Sequence, residues 1–195
     1  QQGVSRKMRN LVREYHENPG SENQYAENPG SGFLPLTLPL VCRARSKSAL
    51  LEDLPHYVAS THLQADMPWV NIYFSILDGL IRNSSMYHAI DNPTLKEIEE
   101  NKRLAIALSG NIEQITAVTG ASSQILPAAV TLYVASHHDF EKMVNIAFQS
   151  FKTADYDTLF FAVGAMIGAA VGYDSLPKHL FKNIKVIEEI TERVD

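Results

Sequence analysis

The chain has 195 residues, 45% of them hydrophobic, a net charge of −5 and a single cysteine. That apolar content supports one domain with a sizeable core, and the mixed charges offer none of the basic surface that nucleic acid requires. The lone Cys42 excludes an internal disulfide, fits a reducing, cytoplasmic compartment, and suits a small core residue. The opening residues, from Gln1 to Met8, carry basic side chains but no apolar run, so they are not a signal peptide. They also lack an initiator Met, which points to a chain that begins part-way through a protein and lacks its N-terminal part.

Residues 5–17 read as a short amphipathic helix, with Met8, Leu11, Val12 and Tyr15 on one face. Glu-Asn-Pro-Gly-Ser then occurs twice, at 17–21 and 27–31. Asn-Pro and Pro-Gly are turn signals, so 18–31 is expected to be a mobile loop within one domain spanning 1–195. Two copies are too few for a repeat architecture. Gly30 and Gly32 permit close backbone approach. Pro35 and Pro39 suit the start of a helix running to about Ala44.

A helix over 46–58 turns Leu50, Leu51, Leu54 and Tyr57 inward and is broken or kinked at Pro55. The helix over 68–81 carries Trp69, Ile72, Tyr73, Ile76, Leu77 and Leu80 at helical spacing. A further amphipathic helix is expected at 94–108, with Glu and Lys outward, and a polar loop or short helix at 110–120. In 123–136, Ile125, Leu126, Ala129, Leu132 and Tyr133 face inward. Segments 140–151 and 177–193 are also amphipathic. His137-His138-Asp139 ends one helix and caps the next; a metal cluster there is the weaker reading. No alternating apolar-polar run argues for strands, so the fold class is all-α, with eight to ten helices.

One helix, 159–171, differs from the rest. It is apolar on every side and is expected to be buried all round. It is shorter than the ~20 residues of a membrane span, and Asp157 and Asp174 close its ends. Gly164, Ala165, Gly168, Ala169 and Gly172 would let neighbouring helices come close. Asp155, Asp157 and Thr158 sit at its N-terminal end. With Asp155 at the cap and Asp157 in the first turn, the two carboxylates can converge with the Thr158 hydroxyl. Such a set suits a hard cation such as Mg²⁺ or Ca²⁺. A plain helix cap, with Asp157 favouring the positive helix end, accounts for the same residues.

Four stretches, in order, resemble the ADP-ribosylglycohydrolase family. Thr153-Ala-Asp-Tyr-Asp-Thr158, the small-residue helix and Gly172-Tyr-Asp-Ser-Leu-Pro177 resemble its Gly-Gly-Asp-Thr-Asp-Thr motif and sequel. Gly120 ahead of Leu126-Pro-Ala-Ala129, Thr61-His62 before Asp66, and Gly30-Ser-Gly-Phe-Leu-Pro-Leu36 resemble three others. The resemblance covers roughly 30–190. It implies a compact all-α fold around a binuclear Mg²⁺ site and hydrolysis of the glycosidic bond of ADP-ribosylated proteins or small molecules. Matched position by position, Asp155, Asp157 and Thr158 would hold metal, with the two aspartates catalytic. His62, Ser31, Gly32 and Gly120 would line the ADP-ribose site. The chain departs from the family at Thr153-Ala154, where the family has Gly-Gly, and at Pro35-Leu36, where it has Met-Arg. It also has no N-terminal Thr-Asp-Asp-Thr motif. These departures leave a second reading open, a catalytically inactive member acting as a binding or structural protein, as the lens crystallins of the family do.

Overall fold

The computed structural model describes residues 13, 16–18, 30–43, 52, 54, 67–83, 85–86, 100–115 and 118–181. Among them stand seven α-helices: α1 (Phe33–Arg43), α2 (Met67–Asn83), α3 (Glu100–Leu108), α4 (Ser122–Ser136), α5 (Phe140–Ser150), α6 (Tyr156–Val171) and α7 (Lys178–Phe181). Short 3₁₀ turns lie at Ile112–Gln114 and Tyr173–Ser175. The described residues form no strand. Their one bridge pairs Val118 with Ala154 in parallel. The fold class is all-α, as the helical periods implied. Of the helix expected at 5–17, Arg13, His16 and Glu17 are helical. Of the one expected at 46–58, Glu52 and Leu54 are helical, with Leu54 buried. The remainder of both, residues 19–29 of the expected loop, and 182–193 lie outside the described residues.

Helix phase decides what each element buries. On α1, Phe33, Leu34, Thr37 and Val41 face the core. The helix begins earlier than its prolines suggested, so Pro35 lies in the first turn and Pro39 in the interior. Pro35 lies where a missing N–H costs nothing. Pro39 forfeits one helical hydrogen bond but is exposed. Cys42 is also exposed, which corrects its reading as a core residue: it follows Val41 by one position and so turns away from the buried stripe.

α2, α4 and α6 form the interior. From Trp69 to Leu80, α2 is buried at every position except the half-buried Asn71. The helix that read as amphipathic is therefore enclosed almost completely. Asp78 lies within that stretch and accepts from Arg82 Nε at 2.5 Å, which explains how a carboxylate is accommodated there. α6 packs against α1, α2, α4 and α5. It buries Leu159, Ala162, Val163, Met166 and Ile167 fully, whereas Phe160, Phe161, Gly164, Ala165, Gly168 and Ala169 are half-buried. It is central, but not enclosed on all sides. Its small residues also divide. A Cβ at Gly164 would stand 3.4 Å from the Phe140 ring, whereas one at Gly168 would meet nothing within 4 Å. Close approach therefore uses Gly164 and not Gly168. No helix among the described residues is long and apolar enough to cross a membrane.

Two ends are closed by backbone that few residues adopt. α4 stops at His137 (φ 54°), and His138 (φ 66°) follows in the same left-handed region. Asp139 then caps α5, accepting from Lys142 N at 2.9 Å. His138 stacks on Tyr133, with ring centroids 4.4 Å apart. This is the stop-and-cap arrangement expected of His137-His138-Asp139. α6 ends at Gly172, whose φ of 74° and ψ of 164° suit glycine alone.

Candidate active site

Three segments far apart in sequence meet at the N-terminal end of α6. The first is the cap itself. Asp155 has non-helical dihedrals (φ −76°, ψ 76°), so its side chain folds back over the first turn. Its Oδ1 accepts from Thr158 N at 3.4 Å and its Oδ2 accepts from the Thr158 hydroxyl at 3.0 Å. Both residues are half-buried. Asp157 occupies the first turn, is exposed, and its carboxylate makes no hydrogen bond or ion pair among the described residues. The structure thus brings Asp155 and Thr158 into contact and leaves Asp157 facing solvent beside them.

The second segment is the stretch before α4. Ala154 pairs with Val118, and Asp155 N donates to Val118 O at 3.1 Å. The approach that a glycine would ease at 154 is therefore made here with an alanine. The pairing carries Gly120 up to the carboxylate. A Cβ at Gly120 would lie 3.2 Å from Asp155 Oδ2, tighter than ordinary contact, so the glycine leaves room beside that oxygen. The loop is braced internally, because Gln124 Oε1 accepts from both the amide and the hydroxyl of Thr119.

The third segment precedes α1. Ser31 N and Ser31 Oγ both donate to Gly120 O at 2.9 Å. Ser122 Oγ returns a bond to Gly30 O at 3.0 Å. Ser31 is buried, whereas Gly32 and Gly120 are exposed. Four of the residues singled out in the sequence, Ser31, Gly120, Asp155 and Thr158, thus form one connected group. His62 lies outside the described residues. Ser122 did not stand out in the sequence, and the only signal for it was its place two residues after Gly120.

Within this group the Asp155 carboxylate and the Thr158 hydroxyl are oxygen donors of the kind a small hard cation takes, with space kept open beside Asp155 Oδ2 at Gly120; the second carboxylate, Asp157, is exposed in the adjoining first turn. Among the described residues, no group of three His, Cys, Asp or Glu side chains converges to hold a metal ion. A cavity of about 510 Å³ lies elsewhere, lined by His137, His138, Phe140, Glu141, Ile167 and Leu176 among others. At 1.5 Å per residue, Ile167 is roughly 16 Å along α6 from its first turn. The two features therefore occupy different ends of the helix. Around that cavity, Asp139 is used as a cap and Glu141 pairs with the exposed His179 at 3.0 Å.

A family model described as ADP-ribosylglycohydrolase matches residues 1–195. No curated protein and no solved structure matches the chain.

Proposed function

Since the chain belongs to the ADP-ribosylglycohydrolase family, we propose that it is a Mg²⁺-dependent hydrolase that cleaves the glycosidic bond of ADP-ribosylated proteins or small molecules. The observation that carries this reading is the meeting of Gly120, Asp155 and Thr158 at one helix end, with Asp157 exposed next to them. Asp155, Asp157 and Thr158 would hold the ion, and His62, Gly32, Gly120 and Ser31 would line the ADP-ribose site. When bound, Mg²⁺ would hold ribose hydroxyls and orient a water for attack. The protein's own part follows from charge. Departure of the leaving group builds positive charge on the ribose ring, and carboxylates near that ring stabilise it. The exposed glycines let backbone come close to a sugar or phosphate without a side chain intervening.

A second reading, a catalytically inactive member that binds or serves a structural role, has its own support. Asp155 Oδ1 accepts from Thr158 N, as a plain cap requires, and Oδ2 is engaged by the Thr158 hydroxyl. A thermal-shift experiment separates the two. ADP-ribose with MgCl₂, at about 100 times its Kd, should stabilise by roughly 2.7 kcal/mol. For a domain of this size that is a rise of about 5–11 °C in Tm. In Asp157→Ala the rise should disappear. Wild-type protein that shows no rise, and releases no ADP-ribose from a modified substrate, would establish the inactive reading.

A further inference from the structure

We infer that Ser31 and Ser122 are positioning residues: together they tie the segment before α1 to the Gly120 loop and so hold that loop against the Asp155 carboxylate. The tie is reciprocal. Ser31 donates from its amide and its hydroxyl to Gly120 O, across 89 positions of sequence. Ser122 donates in the opposite direction to Gly30 O, across 92 positions. Both serines are 2% exposed, so their hydroxyls are used within the tie, and Ser31 would border the ADP-ribose site by its place next to Gly32 and not through its hydroxyl. Exposed on the same two segments are Gly32, Gly120 and Thr119, the last with its amide and hydroxyl both donating to Gln124. The work divides accordingly, with buried hydroxyls fixing the frame and the glycine backbone left exposed.

The geometry beyond the tie makes its consequence specific. On its other side the loop is held to the α6 cap by the Val118–Ala154 pairing and by Asp155 N donating to Val118 O. The Gly120 backbone thus has a partner on each flank. Its α-carbon stands where one added carbon would lie 3.2 Å from Asp155 Oδ2. A displacement of a few tenths of an ångström changes the room beside that oxygen. If either serine loses its hydroxyl, one flank loosens and the loop is located only from the α6 side. Groups that must be held within about 0.5 Å of productive geometry depend on this kind of supporting contact.

The inference rests on the proposed function for its effect on ligand, but the tie itself can be tested without any ligand. Amide hydrogen exchange is measured on the full chain as wild type, Ser31→Ala and Ser122→Ala. Exchange across 118–122 and at the Asp155 amide should quicken about tenfold, as expected for loss of one buried hydrogen bond. Amides within α4 should keep their wild-type rates. Unchanged exchange at the loop in both variants overturns the tie, and so does a uniform quickening through α4, which would mean general destabilisation only. The second arm titrates ADP-ribose with MgCl₂ by calorimetry, well below Tm. Each variant should bind about tenfold more weakly, and the double variant by less than the product of the two. Unchanged affinity with a loosened loop overturns the positioning role. If wild type itself does not bind ADP-ribose, the proposed function falls, and the exchange data alone decide the tie. Should Ser31→Ala fail to fold, Ser122→Ala breaks the same tie from the opposite side.

Discussion

The Asp155 carboxylate can serve as a helix cap and as a cation ligand, and two substitutions separate these roles. Asp155→Ala removes both. The cap bond to Thr158 N is long at 3.4 Å, which places it at the low end of the roughly 0.5–2 kcal/mol that caps contribute. The Thr158 hydroxyl bond is shorter at 3.0 Å. Thr158 is only half-buried, so water replaces much of what is lost. The two together should cost about 1–2 kcal/mol, or a fall of roughly 2–8 °C in Tm for a domain of this size. Asp155→Asn keeps an oxygen that caps as well as a carboxylate and loses only the charge at the helix end, about 0.5 kcal/mol. The assay is thermal unfolding with and without ADP-ribose and MgCl₂. Stability should separate the two variants, whereas the ligand-induced rise should be absent from both. A full ligand-induced rise in Asp155→Asn would show that the carboxylate holds no cation. An Asp155→Ala cost below about 0.3 kcal/mol would show that the cap geometry is worth less than its bonds imply.

Other expectations follow from single residues. Gly168→Ala should raise stability by about 0.5–1 kcal/mol in urea denaturation, because the new methyl meets nothing within 4 Å and alanine favours helix. Gly110→Ala should lower it by about 1–3 kcal/mol, since Gly110 has a φ of +68° and its added Cβ would lie 3.0 Å from Val134 Cγ1. Tyr73 is buried, donates to Ala162 O at 3.3 Å, and burial pushes its phenol well above the ordinary value. Its folded pKa thus exceeds the unfolded one, so its contribution to stability is complete below pH ~10 and is lost as pH rises. The slope should reach about 1.4 kcal/mol per pH unit, and Tyr73→Phe should remove it; parallel alkaline profiles for the two proteins would refute this.

How much of this could be read from the sequence depends on how local each cause is. The Asp139 and Asp155 caps and the stop at His137 follow from cap chemistry acting within a few residues. They were legible for that reason. Phase alone would also have turned Cys42 outward, one position past Val41. Burial was less legible. Hydropathy states how unfavourable it is to expose a residue, but not which neighbour covers it. So α2, which carries polar residues, is enclosed almost throughout, while the uniformly apolar α6 remains half-buried along one side.

The site divides in the same way. Asp155, Thr158 and Gly120 could be picked out from their motifs and from the glycine's place in a loop. Tertiary structure alone decided that Gly120 stands beside Asp155, that Ser31 and Ser122 bind each other's segments, and that Asp157 faces solvent. The two serine contacts join positions about ninety apart, and Gly120 and Asp155 also lie on separate elements. No periodicity reports such a meeting, because it is set by how the helices between those positions pack and by the loop closure that their packing makes favourable.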